Sequence, residues 1–514
     1  MDNPKIIFKN QHRENTLCAL NGGQELSPCT IVIFGASGDL TARKLIPALF
    51  NLYKNDRLPE PLTIIGAART EMTRQEFANR LKESMAPAQI DLKRWDEFCQ
   101  NLYYQEVDYD SPHSFTVLAD FLTDLDTQRK TKGNRIFYLA IPPSLYPTVA
   151  DHIGQAGLAN EGVQGKQWSR IVVEKPFGRD LKTAIELDTV LHKSFKEEQI
   201  YRIDHYLAKE TIQNILMFRF ANYIFEPLWN RNFIDYIGII AAEKLGIEHR
   251  AGYYEQAGVL RDMFQNHMKQ LLALTAMEAP SLFQDARVQD EKTKVFRSLK
   301  PLTEGNLFKD LILGQYSSGT IDRHKVPAYR NEPGVNASSA TPTFALMRLF
   351  IDNWRWKHVP FYLVSGKRLR EKITRIVVQF KKVPHSMFRH VLGEDISANR
   401  LIIGIYPHEK ISLTFQTKTP GARLCLQPAT MDFTYQSLGP GATPDAYEKV
   451  LLDCIQGDHM LFWRQDGVEL TWAFLTPILE ECESCRDLAG QLHPYPAGSW
   501  GPKTAMKWLK PIIS

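Results

Sequence analysis

Short β-rich runs alternate with stretches of helical period in the first part of the chain. The runs fall at residues 30–34, 62–66, 102–107, 135–140 and 170–174. Between them apolar residues recur at helical spacing, as at Leu45, Leu49, Leu52 and Tyr53 within 39–54, and at Phe77 and Leu81 within 73–85. Strand, helix and strand at this rhythm predict a parallel sheet with helices on both faces, a Rossmann-like doubly wound α/β domain. Pro47 falls inside the first helix and predicts a kink, because its ring removes a backbone donor. Residues 1–28 read as a polar arm.

After about residue 203 the rhythm changes. Helical segments at 206–222 and 258–277 precede longer β-rich runs at 343–351, 360–365, 374–380, 400–406 and 410–416. Their spacing predicts a large, mainly antiparallel sheet with helices, an α+β domain. Residues 315–343 form a long polar stretch with Pro327, Pro333, Gly334, Ser338 and Ser339, which reads as a functional or mobile loop. From 446 the pattern is helical again and ends in a Gly/Pro-rich tail at 494–502. The predicted organisation is an arm at 1–28, a dinucleotide-binding unit at 29–203 and a substrate-binding and dimerisation unit at 204–514.

Composition narrows the classes. At 44% hydrophobic and 23% charged residues, the 514-residue chain is ordinary globular protein. The net charge of +4 suits small anions and does not call for nucleic acid or a membrane. The longest apolar stretches, such as 236–242, fall far short of the ~20 residues of a spanning helix. No secretory leader is visible, and seven cysteines are sparse and odd in number. Both suit a reducing compartment, and the cytoplasm is the expected location.

The first strand runs into Gly35-Ala36-Ser37-Gly38-Asp39-Leu40 and then a helix. Glycines there let a phosphate approach the backbone, and helix-opening N–H groups face it. The second strand ends near Arg69, where a dinucleotide site for NAD often has an acid. An arginine fork can hold a ribose 2′-phosphate, with Thr41 and Arg43 placed to assist, so the reading is NADP. The bland alternatives are an ordinary turn and a solvated arginine.

A further strand ends in Glu174-Lys175-Pro176-Phe177-Gly178, which puts Lys175 at a carboxyl end where ligands bind. Then Arg202-Ile203-Asp204-His205-Tyr206-Leu207-Ala208-Lys209 gathers an acid, an imidazole, a phenol and an ammonium. In a helix His205 and Lys209 would share a face suited to a phosphate monoester. His267 follows Leu260, Met263 and Phe264 at helical spacing, on an inward face. An imidazole there is either a core residue satisfied by a carbonyl or, paired with a carboxylate such as Asp204, a general base.

These strings, together with Arg261-Asp262-Met263-Phe264-Gln265-Asn266-His267, resemble the glucose-6-phosphate dehydrogenase family of the bacterial kind, from about residue 28 to 500. The resemblance implies oxidation of glucose 6-phosphate to 6-phosphogluconolactone with NADP. It implies that His267 takes the C1 hydroxyl proton with Asp204 as its partner. His205, Tyr206 and Lys209 would bind the substrate phosphate, and Lys175 would lie between cofactor and sugar. Glu243, Asp262, Lys367 and Lys372 match further substrate-binding positions, while Thr41, Arg69 and Tyr146 match cofactor contacts. A homodimer or homotetramer is also implied.

Two departures stand out. Ala208 replaces the glycine usual in the octapeptide. Val364, Ile373 and Val377 replace basic residues that hold a second, structural NADP in the animal enzymes. No HExxH or paired Cys-x-x-Cys pattern points to a metal, and Cys482-Glu483-Ser484-Cys485 reads as structural. A dehydrogenase of unphosphorylated sugars and an NADP-sensing binding protein are the competing readings. Nucleic-acid binding through 367–372 is a weaker one.

Overall fold

The computed structural model describes residues 26–514, except 86–90, 163–166, 205, 208, 303–306, 393–395, 422–423, 435–444 and 485–487. Six strands form the first sheet: β1 (Cys29–Phe34), β2 (Leu62–Ala68), β3 (Leu102–Glu106), β4 (Arg135–Leu139), β5 (Ser169–Val173) and β6 (Ile200–Arg202). Their order is β3-β2-β1-β4-β5-β6 and every pairing is parallel. This is the doubly wound arrangement predicted, and its switch point lies between β1 and β4, where ligands bind at strand ends. The β1, β2 and β4 strands are buried along their whole length, which is why they read as continuous apolar runs.

The helix after β1 shows how Pro47 is accommodated. Thr41–Leu45 is a π-helical turn that passes directly into the α-helix Ile46–Lys54, with Pro47 in its first turn. The π-helical turn, closed by the Ile46 N–H on the Thr41 carbonyl, lies directly before the proline, where the missing donor and the ring interrupt the ordinary ladder.

The second sheet has nine strands: β7 (Ile234–Ala242), β8 (Leu311–Ser317), β11 (Phe344–Phe350), β12 (Pro360–Gly366), β13 (Ile373–Phe380), β14 (Arg400–Tyr406), β15 (Lys410–Lys418), β16 (Leu426–Thr434) and β17 (Leu492–Pro496). A separate hairpin joins β9 (Gly319–Ile321) and β10 (His324–Val326). The order is β16-β15-β14-β13-β7-β12-β11-β8-β17, antiparallel except for the β7–β12 and β8–β17 pairs. The long apolar run at 236–242 is therefore a central strand buried on both faces. Ile237, Ile239 and Ala241 face one core, and Ile240 and Ala242 face another closed by Leu509 and Ile512 of the terminal helix.

Several expectations need correction. The helix expected from 206 begins at Glu210, with Lys209 in an extended conformation at its cap. The continuous helix expected at 258–277 is broken. Gly258 has φ +55°, Leu260–Phe264 is π-helical, and Asn266 departs from helix before His267–Ala276 begins. The stretch at 315–343 is no bare loop: it holds β9 and β10 and the buried Tyr329. The tail expected at 494–502 begins inside β17, whose prolines fit because β17 is an edge strand paired only to β8.

Candidate active site

The chemistry collects where β5 and β6 end. Beyond β5, Lys175 precedes Pro176 across a cis peptide. The Tyr146 hydroxyl, itself buried, donates to the Glu174 carbonyl (3.2 Å) and so braces the segment carrying Lys175. Beyond β6, Asp204 is buried and accepts the Tyr206 N–H (3.0 Å). His267 opens the helix His267–Ala276, delivered there by the broken segment that precedes it.

These residues meet. His267 Nδ1 lies 2.6 Å from Asp204 Oδ1, and both side chains are buried. Lys175 Nζ lies 2.9 Å from His267 Nε2. A lysine ammonium has donors only, so Nε2 is the acceptor and the ring proton sits on Nδ1, donated to Asp204. Burial pushes the His267 pKa below its ordinary value; Asp204 pulls it up and Lys175 pushes it further down. The imidazole is thus held neutral with its lone pair toward Lys175. The Tyr206 ring stacks on it at 4.1 Å between centroids.

Lys175 also touches the Asp262 carbonyl (3.1 Å) and Oδ1 (3.3 Å). The Tyr253 hydroxyl donates to the same Oδ1 (3.3 Å). Burial alone would raise the Asp262 pKa, but Lys175 and Lys367 together hold it at about 2. Lys367 lies 3.9 Å from Asp262 Oδ2, pairs with Glu243 and sits over the Tyr254 ring. Two lysines and two acids therefore alternate beside the imidazole, a pattern suited to several hydroxyl groups.

A second cationic group lies next to it. Lys209 stands over Tyr206, and both Lys209 and Lys372 approach the Tyr406 ring, at 5.8 and 4.4 Å from its centroid. Burial and the neighbouring Lys372 ammonium both lower the Lys209 pKa. Two like charges converging on one ring favour a bound anion, which relieves their repulsion. Lys209 stands at the cap of a helix that begins at Glu210; His205, expected to share a helix face with it, lies outside the described residues.

The cofactor strings lie at the ends of β1 and β2. Gly35 has φ +84°, and a Cβ on it would fall 2.2 Å from the Ala140 carbonyl oxygen. Gly38 N–H and the Thr41 hydroxyl both donate to the Gly35 carbonyl (2.9 and 3.0 Å), and Gly35 N–H donates to the Tyr109 hydroxyl (2.8 Å). Ala36 is buried, and the Ser37 carbonyl accepts from Arg80. Leu40 leads into the helix, while exposed Asp39 pairs with Arg43 (2.6 Å). Thr41 is fully buried, so its hydroxyl shapes the loop, and Arg43 is engaged by Asp39. Arg69 is exposed over the Tyr109 ring (5.8 Å) and makes no ion pair among the described residues. A tight loop at the switch point with a spare guanidinium at the end of β2 fits a dinucleotide carrying a 2′-phosphate.

Comparison with known proteins gives the family. Models of the glucose-6-phosphate dehydrogenase NAD-binding domain and C-terminal domain match residues 32–214 and 216–511. The chain belongs to the glucose-6-phosphate dehydrogenase family. It is 46% identical over 482 residues to glucose-6-phosphate 1-dehydrogenase of Aggregatibacter actinomycetemcomitans, covering 94% of this chain and 95% of that one. The Treponema pallidum enzyme is 45% identical over 496 residues, covering 96% and 95%. Among solved structures, a glucose-6-phosphate dehydrogenase in complex with its substrate glucose 6-phosphate superposes with a TM-score of 0.86 at 34% identity, covering 95% of this chain and 98% of that one.

Within this family member, sequence reasoning missed Tyr253, Tyr254, Tyr406 and Arg80. Each carried a weak signal at best, since isolated tyrosines and arginines are common and only the fold brings these to the site. Among the described residues no group of three His, Cys, Asp or Glu side chains is placed to hold a metal, and no helix is long and apolar enough to cross a membrane.

Proposed function

We propose that His267 is the general base of this dehydrogenase, with Asp204 as its orienting partner, and that Lys209 and Lys372 hold the substrate phosphate. The reaction is that of the family: oxidation of glucose 6-phosphate to 6-phosphogluconolactone with NADP, the first step of the pentose phosphate pathway. The observation that carries the residue roles is the buried contact of 2.6 Å between His267 Nδ1 and Asp204 Oδ1, which leaves Nε2 as the acceptor.

Bound NADP+ supplies the hydride acceptor. The protein has to hold the sugar still and take one proton. The C1 hydroxyl replaces Lys175 as the donor to Nε2, and Lys175 turns its ammonium to Asp262 and to the sugar. As Nε2 takes the proton, Asp204 stabilises the imidazolium that forms. Glu243, Asp262 and Lys367 orient the sugar hydroxyls, with Tyr206 against the imidazole. Anchoring the remote phosphate at Lys209 and Lys372, together with His205, fixes C1 relative to the base.

Gly35, Ala36, Ser37, Gly38, Asp39 and Leu40 form the cofactor's phosphate loop. Thr41 and Tyr146 support it and the Lys175 segment from beneath, and Arg69 meets the 2′-phosphate. The division between a dinucleotide-binding unit and a substrate unit falls after residue 203, where β6 has ended and Asp204 begins the site. The exposed Met431 and Phe433 on the edge strand β16 support a homo-oligomer formed through that end of the sheet. The cytoplasm is the proposed location.

His267→Asn tests the assignment. Turnover should fall by about 10²–10⁴-fold, the usual worth of a general base, while the KM for glucose 6-phosphate stays near its parent value. Near-normal turnover would remove His267 from this role.

A further inference from the structure

Lys292 lies on the helix Asp285–Arg297, which packs against both His267–Ala276 and Gln465–Ser484. Its side chain is buried, and its ammonium donates to no protein acceptor among the described residues. A charge in that position is costly and calls for a compensating partner nearby.

The surroundings lead to the active site. Lys292 Nζ is 5.8 Å from the centre of the Trp463 ring, which stacks on Phe296 one turn along the same helix. The Trp463 indole N–H donates to Asn266 Oδ1, and Asn266 immediately precedes His267. The backbone N–H of Trp463 donates to the Arg202 carbonyl, two residues before Asp204. One ring thus touches the segments that carry both members of the pair, and Lys292 stands beside that ring.

The charged groups facing Lys292 are Asp204, Arg464 and Asp466. Asp466 is already bound by Arg464 (2.8 Å), which also reaches Asp290 (2.8 Å). Asp204 is thus the acid acting on the buried ammonium that no arginine already engages among these three groups. Lys269, the other buried lysine nearby, lies instead over the Phe474 ring (3.5 Å).

We propose that Lys292 is a positioning residue for the reaction, acting on His267 through Asp204 as a buried positive charge that keeps the pair oriented and limits how firmly the imidazole holds a proton. This rests on the reading of His267 and Asp204 as base and partner. Burial brings the Lys292 pKa down to about 7 despite the pull of Asp204.

The test is the pH dependence of kcat/KM in the full-length enzyme with glucose 6-phosphate and NADP. Lys292→Met removes the charge while keeping the length. Without it the imidazolium is less disfavoured, so the acid limb should move up by about 0.5–1 pH unit, the size of a nearby but indirect charge effect. The KM for glucose 6-phosphate above the limb should stay within about twofold. Lys292→Arg, which keeps the charge, should leave the limb in place. Lys292→Gln replaces the methionine variant if that one does not fold, with the same expectation.

A folded neutral variant whose limb matches the parent's overturns the proposal. So does an arginine variant shifted as far as the neutral one, because the effect would then be packing. If His267→Asn retains turnover, the base assignment falls and this inference with it. If His267→Asn is inactive and the neutral variant's limb is unmoved, only this inference falls.

Discussion

A buried imidazole beside a carboxylate feels opposite pulls on its proton. At His267 burial prevails and the pKa lies below the ordinary 6.5, so the neutral base persists at neutral pH. Activity should be lost only as the pH falls through that lowered value, and kcat/KM measured from pH 5 to 8 should show its acid limb below 6.5. Asp204→Asn removes the group that raises the value and fixes the tautomer. It should move the limb further toward acid and cut kcat by about 10²–10⁴-fold, as loss of an orienting carboxylate does. At the neighbouring cationic group the effect should fall on binding. Lys209→Ala and Lys372→Ala should each raise the KM for glucose 6-phosphate by about 10–100-fold, the worth of one charge-assisted contact. Steady-state kinetics with the 6-phosphate would show this. Asp204, Lys175 and His267 were legible because each stands in a string rich in chemistry. Tyr406, which both lysines approach, was not: it ends a strand, and nothing local marks a tyrosine there as part of a ligand site.

At the level of elements, the turn after β1 depends on one backbone conformation. Gly35→Ala places a methyl against the Ala140 carbonyl and forces a side chain into φ +84°. The conformation alone should cost about 1–3 kcal/mol, with the steric clash adding to it. Thermal melting should show a lower Tm, and the KM for NADP should rise. Strands that are buried on both faces, such as β1 and β2, were readable as apolar runs. So was β14, whose observed limits coincide with those predicted. The segment before His267 was not readable in the same way. Leu260, Met263, Phe264 and Leu271 are buried as the spacing predicts, yet the backbone leaves the helix at Gly258 and again at Asn266. Periodicity records which residues are buried and carries no information about the dihedral break between them. The β8, β16 and β17 strands escaped for other reasons. The alternation in β16 is short, beginning only after Pro428, and the prolines of β17 imitate a tail.

For the whole molecule, one core cluster runs from the first sheet through the helices to the second, uniting Phe137, Ile239 and Trp472. The Trp472 indole N–H donates to the Phe177 carbonyl (2.8 Å), just beyond Lys175. The segment carrying the lysine is therefore held at Glu174 by Tyr146 and at Phe177 by Trp472. If β16 closes a homo-oligomer, Met431→Lys combined with Phe433→Glu should yield monomers, read as a lower mass by light scattering, with the fold intact by circular dichroism.

The position of β7 has a consequence for how the protein is made. Its neighbours are β12 and β13, more than a hundred residues further along the chain. A strand this apolar leaves the ribosome well before the segments that cover it. Until translation passes residue 366, the Ile234–Ala242 strand has neither flank and Glu243 at its end has no Lys367 to face, and the second flank is complete only at residue 380. The nascent chain must be kept from aggregation through that interval, and the Glu243–Lys367 pair forms only after more than a hundred further residues have been added.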